Sequence, residues 1–176
     1  YRTVLNGLFN FGIKRSYLKT NPIAGVERHN VVEEAPSILT PLELQELLSA
    51  CDPRIVPFVA IGAFAGIRSA EIERLDWADI RFGKKTIQVS AKKAKSRQRR
   101  FVKICDALAE WLQPHAKDSG PVAPPNLRKL REAAWKSVFS NRKQDNDLRH
   151  SFASYHLVLH EDAPMTALQL GHGDTT

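Results

Sequence analysis

The sequence predicts a mainly helical α+β fold with a small three-stranded antiparallel sheet. Apolar residues recur at helical spacing over most of the chain, in segments of helix length that are bounded by capping or breaking residues. Near the middle, three short segments at 79–82, 86–91 and 99–104 are predicted strands. The composition of the 176 residues, 43% apolar and 26% charged, is typical of a folded domain and argues against a disordered chain.

The first predicted helix lies within residues 1–18, where apolar side chains form one stripe. Residues 19–37 contain two prolines, a glycine and polar clusters, and they are predicted to be a linker. A second unit begins at Leu39 with a helix expected to end near Ala50. Its start is Thr40-Pro41-Leu42-Glu43, in which threonine caps the helix, proline suits the first helical position and glutamate completes a capping box.

The next predicted helix, at 53–65, is apolar almost all round and is therefore expected to be buried. Gly66 ends it. Ser69 is then predicted to cap a short helix that ends near Leu75. After the strands, four further helices are predicted at 106–115, 126–139, 147–160 and 163–170.

Positive charge is concentrated in one segment. The net charge is +7, yet ten basic residues and no acidic residue lie between Ile80 and Cys105, so the rest of the chain carries −3. This concentration predicts a local contact with a polyanion, nucleic acid first, and the alternative is a solvated loop. The segment includes the connection between the second and third strands, and we call residues 92–100 the cationic hairpin. The candidate residues for this contact are Lys92, Lys93, Arg97, Arg99 and Arg100.

Several classes of protein and site are disfavoured. There is no run of 18 apolar residues, so no transmembrane helix is predicted. Cys51 and Cys105 lack CxxC spacing and are expected to be buried thiols in a reducing cytoplasm. His156 and His160 share a helical face, but no HExxH motif or completing carboxylate accompanies them, so no metal site is predicted.

Two motifs place an arginine near a predicted helix start. The first is Gly66-Ile67-Arg68-Ser69-Ala70-Glu71-Ile72. A helix N-terminus attracts anions and a planar guanidinium suits phosphate oxygens, although a surface Arg–Glu pair is the alternative interpretation. The second is Asn146-Asp147-Leu148-Arg149-His150-Ser151-Phe152-Ala153-Ser154, which Leu170-Gly171-His172 follows.

In this order, and with the cationic hairpin between them, these motifs resemble the catalytic domain of the tyrosine recombinases, or phage integrases, over residues 39–176. Residues 1–30 resemble the last helix of that family's core-binding domain and the chain leaving it, with 31–38 as linker. The resemblance implies the recombinase catalytic-domain fold and site-specific DNA recombination or integration through a 3′-phosphotyrosyl intermediate, without metal or cofactor. It also implies double-stranded DNA as partner, a tetramer on paired DNA sites, and a cytoplasmic location at the nucleoid, away from membranes.

The resemblance assigns catalytic roles to individual residues. Arg68 and Arg149 would clamp the non-bridging phosphate oxygens, which gain negative charge in the transition state. Lys95 would protonate the leaving 5′-oxygen, with Lys93 as the alternative. His172 would donate a further hydrogen bond to the phosphate.

Two departures from the family pattern bear on activity. Asn146 stands where the family usually has histidine, and because an amide exchanges no proton near neutral pH, a general-base role there is open. The family's tyrosine usually follows the position of His172 by roughly nine or ten residues, whereas four residues follow it here. Tyr1, Tyr17 and Tyr155 are poor substitutes, so we expect the nucleophile to be absent from this chain and the chain alone to be inactive. The alternatives are a non-catalytic DNA-binding or regulatory protein on the same scaffold, and an enzyme similar to type IB topoisomerases.

Overall fold

A computed structural model of the protein describes residues 1–27, 36–90, 99–140 and 146–171. The chain divides into two compact units between residues 35 and 36. The first unit contains helix α1 (Arg2–Lys14), which ends four residues before the predicted limit. The segment that follows α1 is tied back to it, because the Asn21 amide donates hydrogen bonds to the side-chain oxygens of Asn6 and Asn10.

The described part of the second unit contains seven α-helices, three short 3₁₀ helices and three strands, which confirms the predicted mainly helical α+β class. The helices are α2 (Pro41–Ala50), α3 (Val56–Ala65), α4 (Ser69–Ile72), α5 (Asp106–Leu112), α6 (Leu127–Val138), α7 (Asp147–His160) and α8 (Ala163–Leu170). The strands are β1 (Ile80–Arg81), β2 (Thr86–Val89) and β3 (Arg100–Lys103).

The three strands form one antiparallel sheet in the order β1-β2-β3. Ile87 lies opposite Val102, and Val89 lies opposite Arg100 at the end of the pairing. Ile87, Val89 and Val102 are buried, so one face of the sheet contributes to the core. Residues 91–98, which contain most of the cationic hairpin, connect β2 to β3 and lie outside the described residues.

Helix α3 is the centre of the core. Nine of its ten residues are buried, because it packs against α2, α5 and α7 and leaves almost no face to solvent. This confirms the prediction of a buried helix. It begins at Val56 rather than residue 53, since the three residues before it form a turn. Gly66 ends it in the left-handed conformation, with φ at 61°, as the sequence indicates.

The start of α2 has the predicted capping box. The Thr40 side chain accepts a hydrogen bond from the Glu43 amide, and the Glu43 carboxylate accepts one from the Thr40 amide at 2.7 Å. The start of α4 differs from its prediction. Ser69 is the first helical residue and Arg68 is the N-cap, because the Glu71 carboxylate accepts the Arg68 amide at 3.3 Å and so performs the capping.

The two cysteines have different environments. Cys51 is buried at the end of α2, as expected. Cys105 is exposed, which corrects the prediction of two buried thiols. The reason is local, since Cys105 is the N-cap of α5 at the strand-to-helix junction, where the chain turns at the surface.

Helices α3 and α7 approach closely through two glycines. A Cβ atom at Gly62 would lie 2.9 Å from Leu148, and one at Gly66 would collide with the ring of Phe152. The close approach places the first turns of α7 beside the end of α3, so the two predicted arginine motifs are brought to one end of the core.

Candidate active site

Three arginines surround one buried carboxylate at the end of α3. Arg68 follows the Gly66 break, Arg149 lies in the first turn of α7, and Arg100 begins β3. Their shared neighbour is Glu71 of α4, which is 1% exposed. We call these four residues the arginine cluster. The two arginines that the sequence predicts as a phosphate clamp therefore lie in one cluster, although 81 positions separate them in the chain.

Arg149 connects the ends of two helices. Its guanidinium donates hydrogen bonds to the carbonyl oxygen of Gly66, at the end of α3, and to that of Leu170, at the end of α8, the latter at 2.8 Å. Burial and the charges of Arg68 and Arg100 lower the pKa of Arg149 to about 10, while Glu71 opposes this shift. Arg149 is therefore cationic at neutral pH and fixed in place by two backbone carbonyls.

Glu71 binds two guanidinium groups unequally. Arg100 forms a bidentate pair with it, at 3.2 Å from Nη1 to Oε1 and 2.6 Å from Nη2 to Oε2. Arg68 Nη1 lies 3.4 Å from Oε1, a longer and weaker contact. The side chain of Arg68 is 24% exposed and that of Arg100 is 11% exposed. Arg68 is thus the more accessible of the two.

Sequence reasoning missed the role of Glu71 and placed Arg100 elsewhere. A surface Arg–Glu pair was one interpretation of Arg68 and Glu71, but burial of Glu71 excludes it. Arg100 was grouped with the DNA contacts of the hairpin, whereas its guanidinium is bound to Glu71. Neighbouring Arg99 is exposed and lies over the ring of Phe101, 4.8 Å from its centroid. The alternation of side chains along a strand could have separated Arg99 from Arg100, because adjacent residues point to opposite faces of the sheet.

The backbone conformation at position 146 favours asparagine. Asn146 precedes α7 in the left-handed conformation, with φ at 59°, and its carbonyl accepts the amide of His150 at 2.8 Å. Asparagine adopts this conformation more readily than most residues. Asn146 lines a small cavity together with Ser69 and Arg149, so it lies beside the arginine cluster.

The other predicted residues of the site are Lys92, Lys93, Lys95, Arg97 and His172, and they lie outside the described residues. Gly171, which precedes His172, is described and has φ at 68°. A Cβ atom there would lie 2.8 to 2.9 Å from the side chain of Arg100, so Arg100 occupies the space that a residue-171 side chain would need.

Tyr155 is directed to another part of the second unit. Its hydroxyl donates a hydrogen bond to the carbonyl oxygen of Leu39 at 3.1 Å. Tyr155 also lines an apolar cavity of about 480 Å³ together with Leu39, Phe64 and Ile104. This phenol is engaged away from the arginine cluster, which agrees with its interpretation as a poor nucleophile.

The histidine pair of α7 has a packing role. His156 Nδ1 lies 2.8 Å from the Thr166 hydroxyl, which is also 2.9 Å from the carbonyl oxygen of Asp162, so the imidazole joins α7 to α8. The ring of His160 lies 4.3 Å from that of His156. Within the described ranges, no group of three or more His, Cys, Asp or Glu residues could hold a metal ion. No helix in those ranges is both long and apolar enough to span a membrane.

A family model and two curated relatives match this chain. The model of the phage integrase family matches residues 37–176. The tyrosine recombinase XerC of Haemophilus ducreyi is 26% identical over 96% of this chain and 62% of its own length. The protein IntQ of Escherichia coli (strain K12), which is named as a defective protein, is 30% identical over 55% of this chain and 25% of its own length. The chain thus spans less than two thirds of these relatives.

Solved structures share the fold at lower sequence identity. XerH recombinase in a post-cleavage complex with palindromic difH substrate has a TM-score of 0.73 at 21% identity, covering 99% of this chain and 60% of that one. A lambda integrase tetramer bound to a Holliday junction has a TM-score of 0.70 at 17% identity, covering 99% of this chain and 56% of that one.

Proposed function

Because the chain belongs to the phage integrase family and has the predicted recombinase catalytic-domain fold, we propose that it carries the phosphate-activating site of a site-specific DNA recombinase. The single observation that carries the proposal is the convergence of Arg68 and Arg149 on one cluster, in which Arg68 contacts Glu71 and the charges of both residues act on Arg149. Arg149 is held by two backbone carbonyls and the Arg68 guanidinium lies beside Glu71, so two planar donors can meet the oxygens of one phosphate.

The arginine cluster stabilises the transition state by its net charge. Three arginines and one glutamate carry +2, and their partial burial strengthens their attraction for the phosphate oxygens. Negative charge on those oxygens increases as a fifth oxygen approaches phosphorus. Donors fixed before the reaction need no reorganisation at that moment, so the cluster lowers the barrier.

The proposed reaction exchanges one phosphoester for another. A tyrosine oxygen attacks phosphorus, the bond from phosphorus to the 5′-oxygen breaks, and a 3′-phosphotyrosyl link forms. Lys95 donates a proton to the leaving 5′-oxygen, and His172 donates a hydrogen bond to the phosphate. Lys95 is preferred to Lys93 because the family's usual spacing, counted back from the third strand, falls on residue 95.

The nucleophile is proposed to be a tyrosine outside these 176 residues. The hydroxyl of Tyr155 is bound to Leu39, which leaves it unsuited to attack at the cluster. We further propose double-stranded DNA as the substrate, gripped by Lys92, Lys93, Arg97 and Arg99 of the cationic hairpin, and a tetramer on paired sites for the whole protein.

Trapping of a covalent adduct tests this function. The full-length protein is incubated with a nicked duplex of its own attachment site, from which the cleaved fragment escapes. We expect the wild-type protein to form a protein–DNA adduct, and Arg68→Ala and Arg149→Ala each to form it about a hundredfold more slowly, because a missing transition-state donor costs about a hundredfold or more in rate. Arg128→Ala is the matched control, since Arg128 is exposed on α6 and pairs only with Glu132 among its described contacts.

The same assay identifies the general acid. Lys95→Ala is expected to slow cleavage of a normal 5′-oxygen, because the alkoxide then leaves without a proton. A substrate with a 5′-thiol leaving group needs no proton and should restore the rate. If the thiol substrate gives no rescue, Lys95 is not the general acid and Lys93 is tested in the same way.

A second candidate is a non-catalytic DNA-binding protein on this scaffold. Asn146 at the usual histidine position favours it, and one relative is named as defective. Specific DNA binding by the full-length protein without any adduct would select this candidate. Relaxation of supercoiled DNA without strand exchange would instead select a topoisomerase-like activity.

A further inference from the structure

Arg100 is not used by the phosphate clamp, yet it makes the shortest ion pair of the arginine cluster, at 2.6 Å. Its guanidinium binds both oxygens of Glu71, whereas the guanidinium of Arg68 contacts one oxygen at 3.4 Å. Glu71 is fully buried, so its charge requires a close partner in this part of the core. Glu71 is therefore paired mainly with Arg100, and its contact with the guanidinium of Arg68 is weak.

We propose that Arg100 is a positioning residue of the catalytic site: by neutralising Glu71, it keeps the guanidinium of Arg68 available for the scissile phosphate. This inference rests on the proposed function, because Arg68 must be a phosphate ligand for its availability to matter. It places Arg100 in the catalytic pocket and separates its role from that of its exposed neighbour Arg99.

The physical basis is competition between two anions for one guanidinium. A buried carboxylate without Arg100 would draw Arg68 into a close bidentate pair, since Arg68 is already within 3.4 Å of it. Those donors would then be directed at Glu71 and would have to leave it before they could bind phosphate. With Arg100 in place, Glu71 still caps α4 through the Arg68 amide and orients the residue without binding its side chain tightly.

Arg100 also stabilises the turn after α8. Its side chain lies against Gly171, where a Cβ atom would come within 2.8 Å of the guanidinium carbon. Its Nε atom is buried there without a hydrogen-bond partner among the described residues. One side chain therefore connects the first residue of β3, the capping carboxylate of α4 and the glycine that precedes His172. The connection fixes the end of the cationic hairpin relative to both arginine motifs.

The net charge of the arginine cluster in the wild type and in two variants provides a test of this role. The cluster carries +2 in the wild type, +1 after Arg100→Gln, and +2 again in the double variant Arg100→Gln with Glu71→Gln. In the single variant Glu71 competes for Arg68. In the double variant the competing carboxylate is gone, and two amides can hydrogen-bond each other in the same space. The substitution Glu71→Gln should therefore restore the activity that Arg100→Gln loses.

The experiment uses the full-length protein with its nicked attachment-site duplex. At saturating protein it measures the first-order rate of adduct formation, together with the Kd for the duplex and the thermal midpoint of each variant. We expect Arg100→Gln to lower the rate about tenfold or more while the Kd stays within about twofold, and the double variant to recover most of the rate. The matched control is the exposed pair of α6, as Arg128→Gln alone and with Glu132→Gln, both expected to react at the wild-type rate.

Four other outcomes would each contradict either the positioning role of Arg100 or the proposed function. A wild-type rate in Arg100→Gln would show that Arg100 does not position Arg68, and the proposed function would stand. A double variant as slow as the single one, with a weakened Kd, would make Arg100 a direct DNA contact. The rate of Arg100→Gln could instead fall only in proportion to its unfolded fraction and return to the wild-type value at lower temperature. That result would make the role of Arg100 structural. Absence of an adduct with the wild-type protein would overturn the proposed function itself and this inference with it.

Discussion

At the scale of single residues, the arginines of the cluster have different tasks because they have different partners. Arg149 is bound to two carbonyl oxygens, Arg100 forms a close pair with a buried carboxylate, and Arg68 makes one longer contact with that carboxylate and is partly exposed. Positive charge alone does not describe such a site, since planar, fork-shaped donors determine which oxygens are reached. The distinction gives a test at Arg149.

Arg149→Lys keeps the charge but cannot bridge the carbonyls of Gly66 and Leu170 with one planar group. We expect the rate of adduct formation to fall about a hundredfold, because a misplaced ammonium replaces a fixed donor. Single-turnover kinetics of the full-length protein checks this. A lysine variant as fast as the wild type would show that charge, rather than the bridge, is what the site requires.

The two thiols offer a chemical test of the core. Burial, helped by the negative charge of Asp52, raises the pKa of Cys51 to about 12, so its reactive thiolate is scarce at pH 8. Cys105 is exposed. We expect one thiol per chain to react with a disulfide reagent at pH 8 in the folded state, identified as Cys105 by peptide mapping. Both should react in denaturant, and fast labelling of Cys51 in the folded state would contradict its burial.

At the scale of elements, local signals predict boundaries well. The predicted bounds of α7 and α8 are the observed ones, and the capping box of α2 is present, because caps and apolar periodicity act over a few residues. The start of α4 was missed because glutamate at its third position provides the cap from within the helix. Local patterns also could not show that Arg100 binds Glu71, since 29 positions separate them.

The contact between α3 and α7 requires glycine at position 66. Gly66→Ala would combine a positive φ with a collision against Phe152. We expect the free energy of unfolding to fall by about 2–4 kcal/mol, as measured by urea denaturation. Gly83→Ala is the control, because no atom lies within 4 Å of a Cβ placed there. Equal stability of the two variants would contradict the close packing of α3 on α7.

The cationic hairpin can be tested by salt dependence. Changing Lys92, Lys93 and Arg97 to Gln should weaken binding to all DNA sequences alike. The slope of log affinity against log salt concentration should decrease by about three, because each lost phosphate contact releases about 0.9 counterion fewer. Fluorescence anisotropy at several salt concentrations measures the slope. An unchanged slope would remove the hairpin from the DNA interface.

At the scale of the whole molecule, the site exists only in the folded second unit. The arginine cluster is assembled from the start of α4, the start of β3 and the first turn of α7, and Arg149 joins it to the ends of α3 and α8; tertiary packing alone brings these elements together. Sequence motifs predicted that Arg68 and Arg149 act together, and the structure brings both into one cluster, while their role as a phosphate clamp stays a prediction. They did not predict which anion each guanidinium meets, since that depends on burial and on side chains from distant elements.

The central claim is that this folded unit activates a DNA phosphate for attack by a tyrosine. The most direct measurement is mass spectrometry of the adduct that the full-length protein forms on its nicked attachment site. The account predicts a nucleotide-modified tyrosine peptide from outside residues 1–176 in the wild type, and almost none from Arg68→Ala at equal DNA occupancy. An adduct of wild-type yield in Arg68→Ala, or bound wild-type protein that never becomes linked to DNA, would contradict it.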